Sequence, residues 1–245
     1  MKRALFYDTE TSGMPDWPSR SLAEHQPHIV QIAALLIDLD TRGVVSGFDV
    51  TVRPDGWAID PETVEIHGIT EAHASEIGIS EKLATTMLLA LWERADVRIG
   101  HMQAFDERVL RIALLRHIGI DAAAAWKAGA SHCTIEMARG LPGAPDARPP
   151  NRLAKLHEHL LGRPMENAHS ALGDVRATIA VYWQMVDMGA APAHVRDVVP
   201  RTAEQPDPLP APAAQPATLS RIRNADAPAP CPACGLADCT CRRRA

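Results

Sequence analysis

The sequence predicts an α/β protein, with a mixed sheet, helices on both of its faces, and a non-globular extension. Three observations predict it. Strand-like apolar runs crowd the first 52 residues, helical spacing dominates residues 81–188, and beyond residue 200 prolines and alanines replace any apolar period. At 245 residues, 46% of them hydrophobic, the chain is long enough for one full-sized domain plus that extension.

Residues 4–7, Ala-Leu-Phe-Tyr, read as a short buried strand. Residues 29–37 and 44–52 follow as strands, the second alternating through Phe48, Val50 and Val52. Pro61-Glu62 has the form of a first helical turn, with proline at its start and an acid where the helix dipole favours one. Residues 81–95 are helical, and residues 97–101 form a strand. Asp106 opens an amphipathic helix whose apolar stripe includes Val109, Leu110, Ile112 and Ala113. Further helices are predicted over 135–139, over 152–161 between the start signal Asn151 and the stop signal Gly162, and over 170–188, where Gly189 is the expected cap. Strands first, then strands alternating with helices, imply the mixed sheet. There is no internal repeat.

The chemistry begins at Asp8-Thr9-Glu10, which closes the first strand. Side chains alternate along a strand, so Asp8 and Glu10 share a face. Two carboxylates at the end of a core strand repel each other and lose hydration, which a fold tolerates when a cation sits between them. All-oxygen ligands favour a hard ion such as Mg2+ or Mn2+. Taken alone, the pair is equally well explained as turn or cap residues. Asp106 and Asp174 supply acids in similar settings, and His169 precedes Asp174 by five residues, which leaves the imidazole near that carboxylate and facing the same cleft.

Asp8-Thr9-Glu10, Phe105-Asp106 after Gly100-His101, and His169-Ser170-Ala171-Leu172-Gly173-Asp174 match in order and rough spacing the three motifs of the DEDDh exonucleases. The chain resembles a DnaQ-like 3'-5' exonuclease. Residues 28–33 resemble that family's second strand, and Pro61-Glu62 with Ile66-His67-Gly68-Ile69-Thr70 resembles its substrate-contacting loop, so the likeness spans residues 1–190. It implies a ribonuclease H-like architecture with a five-stranded mixed sheet and the acids at its middle. It also implies two Mg2+ or Mn2+ ions about 4 Å apart. Asp8, Glu10 and Asp174 would ligate the first, while Asp8 and, through water, Asp106 would hold the second. His169 would be the general base. Thr9, Glu62 and His67 would touch the terminal nucleotide, though Glu62 equally suits a purely helix-capping role. His101 is expected to be structural, and Met102 stands where the family often has Asn.

Residues 14–27 are longer than a simple turn and suit either a lid or a surface loop. His157 and His159 diverge on their helix and are not expected to share a metal, and Cys133 is expected to be a small buried hydrophobe. The domain is expected over residues 1–200, a Pro/Ala-rich semi-extended linker over 201–227 and a Cys-rich basic tail over 228–245. Cys231, Cys234, Cys239 and Cys241 have a spacing that can close a tetrahedral Zn2+ site, with reduced free thiols the alternative.

Residues 220–245 set five arginines against Asp226 and Asp238, a balance of +3, so the formal −5 of the whole chain leaves −8 on residues 1–219. Such an acidic domain is expected to hold a short single-stranded or frayed 3' end at its metal site and not to grip long duplex. The longest apolar runs, about six residues, are too short for a membrane span, and a cytoplasmic location is expected. DNA is the expected substrate, RNA the alternative, because the same centre cleaves both and sugar contacts discriminate. A non-catalytic adaptor is the rival from another class. The tail suggests a polymerase or other protein partner, and the chain carries no polymerase signature of its own.

Overall fold

The structure, a computed structural model, describes residues 2–141 and 150–190. Along these residues run β1 (Arg3–Thr11), β2 (Ile29–Asp38), β3 (Val44–Thr51), α1 (Pro61–His67), α2 (Glu71–Ile77), α3 (Glu81–Trp92), β4 (Val97–Gly100), α4 (Ala104–His117), α5 (Ile120–Ala128), β5 (Ser131–Cys133), α6 (Thr134–Arg139), α7 (Leu153–Leu161) and α8 (Ala171–Asp187). The expected linker and the four tail cysteines lie outside the described residues.

The five strands form one mixed sheet in the order β3-β2-β1-β4-β5. β1 is central, antiparallel to β2 with Asp8 opposite Ala33, and parallel to β4 with Phe6 opposite Ile99. Helices cover both of its faces, which is why its first half reads as a continuous apolar run. A register shift at Glu10/Thr11 ends its regular pairing beside the acids.

The two-residue period of β1 divides the molecule. Leu5 and Tyr7 pack into a core with Val109, Leu110 and Ala113 of α4, Leu88 of α3 and Trp126 of α5. Ala4 and Phe6 face the other way, into a core with Met137 of α6, Leu156 of α7 and Val175, Val181 and Met185 of α8. This is the mixed sheet with helices on both faces that the sequence predicts, and it has the ribonuclease H-like form. Three elements were not apparent in the sequence: α2, α5 and β5. β1 also runs to Thr11, so that Asp8 and Glu10 sit within the strand, and α4 begins at Ala104, two residues before Asp106.

Residues 12–28, between β1 and β2, form a surface loop strapped to α4. Arg108 donates to the Ser21 hydroxyl at 2.9 Å and the Ser19 carbonyl at 2.7 Å, and Arg116 donates to the Pro27 carbonyl at 2.7 Å. Among the described residues no helix is long and apolar enough to cross a membrane.

Candidate active site

The alternation that separates the two cores also sorts the acids. Asp8 and Glu10 continue the face of Ala4 and Phe6 and therefore point toward α8, whose first turn carries Asp174. Asp8, Glu10 and Asp174 bring one carboxylate oxygen each to within 4.8 Å of one another. Thr9 continues the face of Leu5 and Tyr7 and meets α4. Its hydroxyl donates to Asp106 Oδ1 at 2.6 Å and its amide to the same oxygen at 2.9 Å. One tripeptide of β1 thus supplies two acids to one wall and fixes a third on the other.

Asp8, Glu10, Asp106, Asp174 and His169 all line one cleft of about 520 Å³. Its acids are crowded together and buried or half-buried. Burial pushes the Asp8 carboxyl well above the usual carboxylate range, and Asp106, Asp174 and Glu10 push it further. Burial and then Asp174 and Asp106 raise Glu10 to about 7. Burial also raises Asp106 to about 7, against the two hydrogen bonds from Thr9. Asp174 is raised by burial, partly offset by the His169 amide that donates to its Oδ1 at 3.2 Å. Closely spaced oxygen donors whose carboxyls are raised by burial and by one another fit a hard divalent ion.

His169 is exposed, and its backbone lies in the left-handed region at φ 64°, with Asn167 at φ 53°. A non-glycine residue adopts that conformation at a cost, so neighbouring contacts must hold it. Gly173 supplies one. A Cβ there would fall 2.2 Å from the Asn167 carbonyl oxygen, so only glycine lets residues 167–169 close onto the first turn of α8.

His101 is buried and lines the same cleft, with both ring nitrogens engaged by the protein. Its Nε2 lies 2.7 Å from the Asn151 carbonyl, which can only accept, so this nitrogen carries the proton; Nδ1 lies 2.8 Å from the Thr134 hydroxyl. The ring joins the end of β4 to the start of α6 and to the residues before α7. His157 is buried, with Nδ1 3.1 Å from the Arg163 carbonyl, while His159 is exposed, and Cys133 is only half-buried at the end of β5.

Glu62 and His67 are not brought to the cleft. Glu62 is exposed on α1, and its amide donates to the capping Asp60 carboxylate at 3.0 Å. His67 is half-buried, with Nδ1 accepting from the Ile69 amide at 3.0 Å, and burial lowers its pKa. The cleft instead includes two side chains not singled out from the sequence, Arg152 and Lys155 at the start of α7, and also the exposed Met102, whose φ of 50° is left-handed. A signal was available in the sequence, because two cations at the opening of a helix sit badly with its dipole.

The family described as Exonuclease (RNase_T) matches residues 5–182, a span that contains every cleft acid. The chain belongs to the DnaQ-like 3'-5' exonuclease family. Among solved structures, this exonuclease domain is similar to E. coli Exonuclease I in complex with a dT13 oligonucleotide, at 25% identity over 76% of this chain and 41% of that one, with a TM-score of 0.62. The zinc-ion-bound form of the E. coli ExoI–ssDNA complex aligns at 25% identity over the same shares, with a TM-score of 0.63. An ExoI/SSB-Ct complex, at 23% identity and a TM-score of 0.59 over 78% of this chain and 42% of that one, shares the fold. The chain therefore spans about two fifths of the length of the solved structures it matches. No curated protein matches it.

Proposed function

We propose that this exonuclease is metal-dependent and removes nucleotides from single-stranded or frayed 3' ends of DNA. The observation that carries the reading is the convergence of Asp8, Glu10 and Asp174 within 4.8 Å of one another, in a cleft that also holds Asp106 and His169. Asp8, Glu10 and Asp174 would hold one Mg2+ or Mn2+, with Asp106 and Asp8 facing a second. Ions bound there would offset the negative charge that builds on a phosphodiester during cleavage and make an attacking water more acidic.

The chain's own residues do the rest. Thr9 keeps Asp106 aimed into the cleft through two hydrogen bonds to one carboxylate oxygen, which leaves the other oxygen available. His169, exposed beside Asp174 and held by its own backbone contact to that carboxylate, takes the proton of the attacking water at its imidazole. Thr9, Glu62 and His67 are proposed to meet the terminal nucleotide, the last two only once substrate extends beyond the cleft toward α1.

Residues 1–200 would form the catalytic domain and 201–227 a linker. Residues 228–245 would form a tail that binds a polymerase or other partner, with Cys231, Cys234, Cys239 and Cys241 around a structural Zn2+. Less than half an equivalent of zinc in the purified protein, with no effect of Cys234→Ser, would remove the zinc site.

The deciding experiment digests end-labelled single-stranded DNA, duplex with a mismatched 3' end, and RNA side by side, with Mg2+, with Mn2+ and with excess EDTA. Loss of nucleotides from the 3' end of DNA, abolished by EDTA and by Asp8→Ala, Asp174→Ala or His169→Ala, is expected. Full activity in EDTA or an active Asp8→Ala/Asp174→Ala double variant would exclude the reading, and faster digestion of RNA would reassign the substrate.

A further inference from the structure

The cleft holds positive charge that its acids do not use. Arg152 and Lys155 line it together with the four carboxylates, yet neither makes an ion pair or hydrogen bond with Asp8, Glu10, Asp106 or Asp174. The Arg152 guanidinium pairs with no acid among the described residues. Lys155 donates to Glu158 at 3.0 Å across an exposed pair, and so weak a contact is one a phosphate can displace. Arg152 is the N-cap of α7, Lys155 lies in its first turn, and both line this cleft. Leaving them there costs the helix some stability, because α7 has no acid in its first turn to complement the dipole, whereas the other seven described helices each have one. Their place is also fixed from below: His101 pins the Asn151 carbonyl, the residue immediately before Arg152, to the end of β4.

We infer that Arg152 and Lys155 bind backbone phosphates of the substrate strand on the 5' side of the bond being cut. The inference rests on the nuclease reading for the identity of the strand, though not for the chemistry of the contact. The phosphates concerned are not the scissile one, because that group must lie at the carboxylates, which these cations do not touch. Apolar surface from Met102, Phe105 and Leu153 in the same cleft gives the bases between those phosphates somewhere to rest.

The test is equilibrium binding of a fluorescein-labelled single-stranded oligothymidine, followed by anisotropy over a salt series with Ca2+ in place of Mg2+. Arg152→Ala and Lys155→Ala should each weaken binding about tenfold near 0.1 M salt and each lower the slope of log affinity against log salt by about 0.7. Arg152→Lys should keep the wild-type slope, and Lys82→Ala, an exposed cation on α3, should change neither quantity. Both cleft side chains are exposed, so truncation leaves the core intact. Unchanged salt slopes in both alanine variants, while wild type digests the oligonucleotide in Mg2+, overturn the inference and leave the nuclease reading standing. The expected slopes in a protein that digests nothing in Mg2+ or Mn2+ would do the reverse.

Discussion

The molecule buries carboxylates in two places and treats them in opposite ways. In the cleft, Glu10 and Asp106 are pushed to about 7, and Asp8 is raised well above the usual range. Under the sheet, Glu81, the first residue of α3, is also buried, yet it is held down at about 2. Burial works against both. Glu81 overcomes it by accepting from His117 Nε2 and His28 Nδ1, each at 2.8 Å, and from the Ile29 amide at 2.9 Å, with His28 stacked flat on Trp57. The cleft acids face one another instead. Hydrogen-bond donors complete one site from within the chain, and the other is left to be completed by something the chain does not encode.

This contrast can be broken or sharpened experimentally. The largest effect is expected from Asp8→Asn. It should cut nuclease activity by at least about 10²–10³-fold, the scale of losing one principal electrostatic contact, and yet raise the thermal midpoint of the metal-free protein by removing a repelling charge. A midpoint that falls in EDTA would mean that Asp8 is a structural acid after all. Glu81→Gln should do the converse, costing about 2–3 kcal/mol of stability by chemical denaturation because the two imidazoles and the Ile29 amide lose their charged acceptor, with the cleft chemistry retained at temperatures where the variant is folded. An unaltered denaturation midpoint would contradict that assignment.

Gly173→Ala tests the segment that carries His169. The clash with the Asn167 carbonyl should cost about 1–3 kcal/mol and lower activity further than the lost stability explains, whereas Gly13→Ala, with open space around it, should be nearly silent in stability. Equal behaviour of the two variants would refute the close approach.

The smallest effect is in pH. Glu81 has a depressed pKa, so its stabilisation is complete above its ordinary value of 4.5 and is lost as pH falls toward about 2. The cleft acids have raised values, so their protonated forms favour the native state. Stability in EDTA should decline as pH rises from the ordinary carboxylate range through about 7. Added Mg2+ should flatten the second slope and leave the first unchanged. Identical profiles with and without Mg2+ would disconnect the cleft from metal binding.

The sequence made one side of this contrast plain and hid the other. Asp8 and Glu10 were legible as a same-face pair because strand alternation is a local property, and Asp106, His169 and Asp174 joined them through short motifs whose order and spacing resemble the family's. The Glu81 site was not, since its partners come from the entry of β2 and the end of α4, separated from it by 53 and 36 residues. The same distance problem hid the Thr9–Asp106 clamp, which joins residues 97 apart. β5 escaped notice because three residues, Ser131–Cys133, carry no period, and α5 because a run of alanines gives little contrast between its faces. Arg98 shows the limit of pattern reading. It lies in a strand, is fully buried, and makes no ion pair among the described residues: its Nη2 donates to the Trp126 carbonyl at 2.6 Å while the guanidinium lies 3.8 Å from the centre of the Trp126 ring. Nothing in Val-Arg-Ile announces that a buried cation will rest against a carbonyl and an indole.

Because neighbours along β1 serve opposite walls, the assembly depends on counting. Insert or delete one residue between Ala4 and Asp8, and every side chain beyond the change turns over: the paired acids would swing toward α4, and threonine would be presented to α8. Length changes should therefore accumulate in the connecting loops and be absent from this stretch, and a variant carrying one there would lose its cation site and its two cores together, a failure no compensating point substitution could repair.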